Sequence, residues 1–304
     1  MTDERERTPV RIGIANQKGG VGKTTTTVSL AAGLAVLGIR VLVVDLDPQG
    51  NASTGLGVRV EEGQPSVYGV LVDGDDPADA IRSTDVEGLS LLPSSLDLAG
   101  AEVELVPAFS REHRLKRALD RVDPTIDVVL IDCPPSLGLL TINALVAADQ
   151  VLVPIQCEYY ALEGLSQLLR TVDLVSENLN PRLELGGVVL TMFDGRTNLA
   201  QQVVDEVRGY FGTATFDTVI PRTVRLSEAP SFGQPITTFD PTSRGARAYQ
   251  RLAAEVARRL GLTVEADQGG DALERLLTTT SLTGGHPTSD DEPLLATNDE
   301  EFRS

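Results

Sequence analysis

The chain has 304 residues, 41% of them hydrophobic, and a formal net charge of -18. This length and composition suffice for one sizeable hydrophobic core, and we expect one large domain. No stretch approaches the roughly 18 uninterrupted apolar residues of a membrane span, and the polar N-terminus lacks the apolar region of a signal peptide, so we expect a cytoplasmic protein.

The first predicted elements have the order that a phosphate-binding loop requires. Residues 10–15 form an apolar run typical of a strand, and a helical pattern further along stops at Gly38. The intervening segment begins Asn16-Gln-Lys-Gly-Gly-Val-Gly-Lys-Thr-Thr-Thr26, and its glycines allow backbone N–H groups to face phosphate oxygens. The helix that begins at Lys23 places the positive end of its dipole beneath them. The sequence therefore predicts a site for a nucleoside triphosphate.

Two side chains complete this predicted site. Lys23 supplies a positive charge to the phosphates, and Thr24 supplies a hydroxyl to Mg²⁺. The loop departs from the ordinary pattern G-x-x-x-x-G-K-[ST], because Gln17 replaces the first glycine while a second lysine, Lys18, stands at the start of the loop. A solvated cation is the alternative interpretation of Lys18, and a glycine-rich turn without a ligand is the alternative for the whole loop.

Two carboxylates follow at the end of the second predicted strand, residues 41–45. They lie in the segment Val43-Val-Asp45-Leu-Asp47-Pro-Gln-Gly-Asn51, next to the phosphate loop. Hydrolysis of a triphosphate requires a carboxylate near Mg²⁺ and a group that orients the attacking water. Asp45 and Asp47 are candidates for these tasks, and an ordinary Asp-Pro-Gln-Gly turn is the alternative interpretation.

A third carboxylate closes the strand predicted at residues 126–132. The run Val128-Val-Leu-Ile-Asp132-Cys-Pro-Pro-Ser136 places Asp132 at the carboxyl edge of the sheet, beside the loop after the first strand. Asp132 fits the position of a Walker B carboxylate, which binds Mg²⁺ through water. As the alternative, Asp132 caps a helix before Pro134 and Pro135.

The remaining elements alternate along the chain. Short apolar runs predict strands at 89–92, 151–155, 187–192 and 218–220. Apolar residues at helical spacing predict helices at 137–148, 158–178, 199–210 and 244–260. Such alternation is typical of a mainly parallel sheet covered on both faces. We therefore predict an α/β fold, a mostly parallel, doubly wound P-loop NTPase sheet with helices on both faces, in residues 10–262. A polar extension at 1–9 precedes it, and an acidic, mostly disordered tail at 263–304 follows it.

Several blocks of the chain resemble one family. The run from Lys18 to Thr25 resembles the deviant Walker A phosphate loop of the ParA/MinD ATPases. The segment from Asp45 to Asn51 resembles the D-x-D-P-Q-G-N motif of their chromosome-partitioning ParA branch, often called Soj-like. The block Ile220-Pro-Arg-Thr-Val-Arg-Leu-Ser-Glu-Ala-Pro-Ser-Phe-Gly233 favours this branch over its cell-division relatives. The resemblance covers about residues 10 to 262.

The resemblance implies roles for individual residues. In this family the extra lysine, here Lys18, reaches across a dimer interface to the partner subunit's nucleotide. Asp47 would position the attacking water, with Lys18 and Lys23 as the other catalytic residues, and the metal residues would be Thr24, Asp45 and Asp132. The implied nucleotide-binding residues are Lys18, Gly19, Gly20, Val21, Gly22, Lys23, Thr24, Thr25, Met192 and Pro221. The last two would border the adenine from its two sides, and termination of a strand is the alternative role of Pro221.

The charge distribution bears on the binding partner. A net charge of -18 argues against nucleic acid, whose phosphates attract Lys and Arg. However, residues 264–304 contain ten acidic and two basic residues and so carry -8 of this charge. A locally positive stretch before them contains five candidates for phosphate contacts with DNA: Arg222, Arg225, Arg244, Arg247 and Arg251. An ordinary solvated face is the alternative interpretation of these arginines.

We therefore expect an ATP-dependent partition protein with ATP and Mg²⁺ as cofactors. The resemblance implies an ATP-dependent homodimer that binds double-stranded DNA without sequence preference and associates with the nucleoid, with no membrane partner. A ParB-like centromere-binding protein would stimulate slow ATP hydrolysis, which releases the dimer and segregates chromosome or plasmid origins.

Three alternatives remain open at this point. A MinD-like membrane-associated division-site ATPase would use a basic amphipathic helix at its C-terminus, where this chain is acidic. A P-loop metabolic enzyme such as an ATP-dependent ligase would need a dedicated pocket for a small substrate. An iron-sulfur reductase shares the loop, but the two cysteines, Cys133 and Cys157, do not match its cluster ligands.

Overall fold

The computed structural model describes residues 8–159 and 165–262. Within these ranges the strands are β1 (Val10–Ile14), β2 (Val41–Asp45), β3 (Arg82–Ser83), β4 (Leu89–Leu92), β5 (Val128–Asp132), β6 (Gln150–Gln156), β7 (Glu184–Phe193) and β8 (Thr215–Pro221). The α-helices are α1 (Lys23–Val36), α2 (Asn51–Gly55), α3 (Val67–Val72), α4 (Pro77–Ala80), α5 (Leu98–Glu104), α6 (Arg114–Leu119), α7 (Leu139–Ala147), α8 (Leu165–Asn178), α9 (Asn198–Phe211), α10 (Val224–Glu228), α11 (Ile236–Phe239) and α12 (Arg244–Arg259).

The strands form a single sheet in the order β3-β4-β2-β5-β1-β6-β7-β8. Neighbouring strands are parallel except for the antiparallel pair of β3 and β4. Asp132 at the end of β5 pairs in register with Ile14 of β1 on one side and with Asp45 of β2 on the other. The carboxyl ends of these three central strands therefore meet at one edge of the sheet. The predicted mostly parallel, doubly wound sheet is confirmed.

The sheet is covered on both faces because its central strands are apolar at consecutive positions. In β2, Leu42 and Val44 belong to one hydrophobic layer, while Val41 and Val43 belong to the other. Helices α3 and α5 to α9 supply the first layer, and helices α1 and α12 supply most of the second. The two free cysteines, Cys133 and Cys157, are buried.

The two helices of the second layer approach each other closely. At Gly33 of α1, an added Cβ would lie 2.8 Å from Cβ of Ala253 and 3.3 Å from the carbonyl oxygen of Tyr249, both on α12. The hydroxyls of Thr26 and Tyr249 form a buried hydrogen bond of 3.1 Å between the same helices. The helix that follows the phosphate loop is thus fixed directly against the last described helix.

The sequence predictions of the elements differ from the structure mainly at short elements and boundaries. Helix α1 begins at Lys23 as predicted, and Gly38, with a φ of 80°, follows its end. The predicted start of a helix at Glu158 is wrong, because Glu158 and Tyr159 form a bend and a turn after β6. The short helices α2 to α6, α10 and α11 and the antiparallel strand β3 were not predicted. Residues 1–7, 160–164 and 263–304, including the predicted disordered tail, lie outside the described ranges.

The described helices are not membrane spans. Each of them is too short or too polar to cross a bilayer.

Replacing Gly33 by alanine should destabilise the protein. The added methyl group forces α1 and α12 apart, and overpacking of this kind costs about 1–3 kcal/mol, against a gain of up to about 1 kcal/mol from the helix propensity of alanine. We expect urea titrations to show a free energy of unfolding lower by about 1 kcal/mol.

The matched control is Gly209→Ala in α9, where an added Cβ meets nothing within 4 Å. There the same exchange should raise the free energy of unfolding by about 1 kcal/mol. Equal effects of the two substitutions would contradict the close packing of α1 on α12.

Candidate phosphate-binding site

The loop between β1 and α1 has the backbone shape of an anion cradle. Gly20 and Gly22 have φ angles of 75° and 91°, in the left-handed region that favours glycine. A Cβ added at Gly19 or Gly20 would meet nothing within 4 Å, so the space beside the loop is open. Helix α1 has no side-chain cap, which leaves the N–H groups of its first turn and the positive end of its dipole available to an anion.

Lys23 is a buried cation at the floor of this cradle. Its residue is 7% exposed, and its ammonium donates to the carbonyl oxygen of Lys18 at 3.3 Å. Burial lowers the pKa of Lys23, while the charge of Asp132 and, more weakly, that of Asp47 raise it. Within the described ranges Lys23 forms no direct ion pair, so its ammonium is a suitable partner for a phosphate group.

Asp132 holds the start of α1 through two hydroxyl groups. Thr24 donates to its Oδ2 at 2.7 Å, and Thr27 donates to its Oδ1 at 2.9 Å. Asp132 is fully buried, and this burial, followed by the charge of Asp45, raises its pKa to about 7. Its predicted alternative role as a helix cap is wrong, because the next helix, α7, begins seven residues later with Gly138 at the cap position.

The donors of Asp132 and Thr24 fit a hard divalent cation. Because the Thr24 hydroxyl gives its proton to Asp132, the lone pairs of its oxygen remain available to a metal. In the described part of the chain, no cluster of three or more His, Cys, Asp or Glu could hold a metal ion by itself. Mg²⁺ commonly binds one or two protein oxygens together with substrate phosphates and water, and the oxygens of Asp132 and Thr24 fit this pattern.

Asp45 organises the loop that follows β2. It is fully buried and accepts hydrogen bonds from the N–H of Ser53 at 2.8 Å, the hydroxyl of Ser53 at 2.7 Å and the N–H of Asp47 at 3.1 Å. Burial raises the pKa of Asp45 to about 6, and the two bonds from Ser53 counteract this effect. The Ser53 hydroxyl also accepts the N–H of Ser94 after β4. We call this set of hydrogen bonds the Asp45–Ser53 latch.

Asp47 lies at the sheet edge that carries the phosphate loop. Its carboxylate accepts the N–H of Gln49 at 3.0 Å, and its carbonyl oxygen accepts the N–H of Gly50 at 2.9 Å. The predicted Asp-Pro-Gln-Gly turn is therefore present. Asp47 is 8% exposed and interacts electrostatically with Lys23, so the turn also brings a carboxylate towards the cradle.

Lys18 faces solvent at the start of the loop. Its residue is exposed, while its backbone N–H donates to the Asn16 side chain at 3.0 Å. Asn16 in turn donates to the carbonyl oxygen of Pro154 on β6 at 2.7 Å. The backbone of Lys18 is thus anchored, and its ammonium forms no ion pair within the described residues.

Met192 and Pro221 lie at the ends of two neighbouring strands beside the loop. A Cβ added at Gly22 would lie 3.9 Å from Cε of Met192, and the Thr191 hydroxyl donates to the carbonyl oxygen of Val21 at 2.8 Å. Met192 has a φ of 54°, a strained conformation for a residue other than glycine. Pro221 is the last residue of β8 and pairs with Phe193, so it terminates the strand, and its contact with adenine stays a prediction.

The five candidate DNA-binding arginines fall into two groups. Arg222 pairs with Glu158 at 3.3 Å, and Arg225 pairs with Glu228 at 3.1 Å and with Asp240 at 3.3 Å. The other three are exposed on α12 without an ion pair in the described ranges. Arg258 continues their spacing, and the sequence analysis missed it although the helical period indicates it. We call the resulting set, Arg244, Arg247, Arg251 and Arg258, the arginine stripe.

Comparison with known proteins identifies close relatives of the chain. A family model described as an AAA domain matches residues 10–185. The chain is 61% identical over 246 residues to the sporulation initiation inhibitor protein Soj of Bacillus subtilis (strain 168), a match that covers 81% of this chain and 97% of that protein. It is 53% identical over 246 residues to the chromosome partitioning protein ParA of Myxococcus xanthus (strain DK1622), with 81% and 87% covered.

A solved structure agrees with the fold. The cobyrinic acid a,c-diamide synthase of Mycobacterium smegmatis with bound ADP and magnesium is 42% identical, with a TM-score of 0.74. This match covers 83% of the present chain and 96% of the solved one.

Replacing Ser53 by alanine should loosen the loop that carries Asp47. The change leaves Asp45 and the N–H of Ser94 each one hydrogen bond short, at a cost of about 1–3 kcal/mol for buried groups. We expect a lower Tm and slower hydrolysis of a nucleoside triphosphate, with little change in nucleotide affinity because Lys23 and Thr24 are unaffected. Thr54→Ala removes an exposed neighbouring hydroxyl of α2 and should change none of these quantities. Identical behaviour of the two variants would contradict a role of the latch.

Proposed function

The chain belongs to the Soj/ParA family of chromosome-partitioning ATPases, and we propose that its ATP-bound form is a DNA-binding dimer that hydrolysis takes apart. The observation that carries this proposal is that two sets of cationic side chains in the described residues have no ion-pair partner there and belong to helices that pack against each other. The buried Lys23 lies in the cradle, and the exposed arginine stripe lies on α12, which packs against the helix that begins with Lys23.

The cradle residues suit the binding of ATP with Mg²⁺. The N–H groups at the start of α1 and the ammonium of Lys23 are placed to neutralise the phosphates. Asp132 orients the Thr24 hydroxyl so that its oxygen is free for the metal, which would neutralise charge on the phosphates when bound. We assign the third metal residue, Asp45, a supporting role, because its carboxylate accepts the N–H of Asp47 and the N–H and hydroxyl of Ser53 in α2.

Asp47 is our candidate for the group that positions the attacking water. Its carboxylate is held by the N–H of Gln49, and the latch fixes the backbone on both sides of it. Only a few hydrogen bonds therefore order the loop that carries Asp47. Hydrolysis would remove the γ-phosphate next to this loop, so the loop can respond to hydrolysis. We propose that turnover is slow until a ParB-like centromere-binding protein completes the site.

Lys18 is our candidate for the contact between subunits. An exposed ammonium on an anchored loop can reach a phosphate of a second molecule that faces the same edge of the sheet. In such a dimer the partner subunit's lysine would add positive charge to each triphosphate. Dimerisation would then depend on ATP.

The arginine stripe is our candidate for the DNA-binding surface. Its guanidinium groups can bind backbone phosphates without reading base sequence, and this binding would weaken with salt. A dimer presents two stripes, so that the second contact becomes intramolecular and the affinity rises steeply on dimerisation. This arrangement would place the ATP-bound protein on the nucleoid and release it after hydrolysis, moving chromosome or plasmid origins.

The second candidate function is ATP-dependent metabolic synthesis, which the name of the solved relative from Mycobacterium smegmatis favours. A cavity of about 480 Å³ exists, but it lies beside the amino ends of β2 and β4, lined in part by Arg40, Ser83 and Asp123. It is therefore at the opposite edge of the sheet from the phosphate loop. A metabolite that stimulates phosphate release, where DNA and a protein partner do not, would favour this candidate.

Sedimentation with liposomes would test the remaining MinD-like alternative.

Replacing Lys18 by alanine should abolish ATP-dependent dimers and spare part of the nucleotide binding, because Lys23 and the backbone cradle remain. Asp47→Ala should instead accumulate dimers, since hydrolysis stops after ATP binding. Light scattering of the full chain with and without ATP measures both outcomes. Lys116→Ala on α6 serves as the control and should dimerise like the natural protein. A K18A variant that dimerises normally on ATP would overturn the contact between subunits.

Random-sequence duplex DNA should bind the full chain with ATP and not with ADP or without nucleotide, and the affinity should fall steeply with salt. In an R247A/R251A double variant, the slope of log affinity against log salt should decrease by about 1 for each arginine removed, because each phosphate contact releases about one counterion. Arg117→Ala, at an exposed position of α6, is the matched control. Absence of DNA binding in every nucleotide state would refute DNA as the binding partner, although it would leave the assignment to the Soj/ParA family intact.

A further inference from the structure

We propose that the acidic segment of residues 263–304 docks on the arginine stripe of α12 when DNA is absent, and that DNA must displace it. This inference rests on the proposed function in one respect, the competition with DNA. The docking itself is an intramolecular contact that can be tested without DNA. The occupant is thus a named segment of this chain, and the surface is the exposed face of the helix that immediately precedes it.

The stripe is a compact surface of one sign. At 3.6 residues per turn, the four arginines lie within about 60° of one another around the helix axis and extend over about 21 Å. All four residues are exposed. Most other arginines around them are paired, including Arg222, Arg225 and Arg259.

No acidic side chain of α12 neutralises this surface. Its single carboxylate, Glu255, is buried and accepts the N–H groups of Asp217 and Thr218 on β8 at 2.9 and 3.1 Å. The same carboxylate also pairs with Arg259 at 2.9 Å. In a chain with 44 acidic and 26 basic residues, four neighbouring arginines without a counterion in the described ranges indicate that their partner lies elsewhere.

The segment after α12 has the complementary charge. Residues 263–304 contain ten acidic and two basic residues, and six of the acids form two runs, Asp290-Asp-Glu292 and Asp299-Glu-Glu301. The first run begins 28 residues after Leu262, the last described residue. A chain of this length can span up to about 90 Å, so it can return along the stripe.

Part of this chain has no counterpart in its relative. The match to Soj spans 246 residues and 97% of that protein, whereas this chain has 304 residues. The match thus leaves 58 residues of this chain without a counterpart, more than the whole segment from 263 onwards contains. The segment 263–304 alone carries -8 of the net charge of -18.

Docking of this kind would sharpen the switch between monomer and dimer. A tethered competitor acts at millimolar effective concentration, which suffices against a single stripe that binds DNA weakly. The dimer binds through two stripes at once, and duplex DNA offers one phosphate per about 1.7 Å. The segment would therefore block monomers and yield to dimers.

Carbodiimide coupling tests the docking in the full chain without DNA. The chain has three lysines, Lys18, Lys23 and Lys116, so that R247K and R251K each introduce a nearly unique amine and preserve the charge of the stripe. We expect mass spectrometry to find amide bonds from these positions to acids of 263–304, at severalfold higher yield than from R117K on α6. Their loss at high salt is expected as well. Equal yields from all three positions would overturn the docking.

A DNA titration then tests the competition. Changing the six acids of the two runs to amides should raise the DNA affinity of the ATP-bound protein about fivefold or more at low salt, as expected for removal of a tethered competitor. The control changes six exposed acids outside α12 and the segment after it to amides, which gives the same net charge: Glu61, Glu62, Asp73, Asp79, Asp85 and Glu87. An equal gain in both variants, or none in either, would overturn the competition.

The two readouts separate the failure of this inference from that of the proposed function. If no variant binds DNA in any nucleotide state, the proposed DNA partner fails, and the coupling yields still decide whether the segment docks. If the natural protein binds DNA with ATP and the coupling yields are equal, the docking fails while the proposed function stands.

Discussion

The carboxylate of Asp132 is the group on which the rest of this architecture depends. It lies at the end of a central strand, in register with the ends of β1 and β2, and it is fully buried. A buried carboxylate requires donors, and Thr24 and Thr27 supply them from the first two turns of α1. The same two hydrogen bonds that satisfy Asp132 therefore fix the start of α1, and with it the phosphate loop, against the sheet.

This arrangement places several charges in a small volume without cancelling them. Asp132 and Asp45 are adjacent on neighbouring strands and both have raised pKa values, chiefly because of burial, while burial lowers the pKa of Lys23. The protein alone thus holds its carboxylates and its ammonium in an environment that disfavours the charged forms. A nucleotide with its metal ion would supply both missing partners, an anion for Lys23 and a cation for the carboxylates. Ligand binding should accordingly stabilise this edge of the sheet.

The sequence predicted most of the sheet and the cradle, because both have local signals. Strands β2 and β5 are apolar up to their terminal aspartates, and β1 is apolar except for the buried Arg11. The glycine loop with Lys23 and Thr24 has a spacing that few other structures require. The latch could not be predicted, because Ser53 and Ser94 are 41 residues apart and meet only after β2 and β4 pair. The strained backbone of Met192 and the division of the arginines into paired and unpaired groups likewise depend on tertiary contacts. The short helices α2 to α6 have too few turns to show a period.

The contact between α1 and α12 connects the two surfaces that the function requires. Helix α1 begins with Lys23, and α12 carries the arginine stripe, so the phosphate site and the stripe belong to helices that touch at Gly33 and share the Thr26–Tyr249 hydrogen bond. Close-packed interiors resist compression and transmit strain, so the two helices should move as one body and the stripe should keep its position relative to the phosphate loop. The effect of ATP on DNA affinity is therefore better explained by dimerisation, which raises the number of arginine stripes in one particle from one to two, than by a change in the shape of a single stripe. In that case the rigidity of the α1–α12 contact is an advantage, because each subunit presents its stripe at a constant position relative to the edge through which it would dimerise.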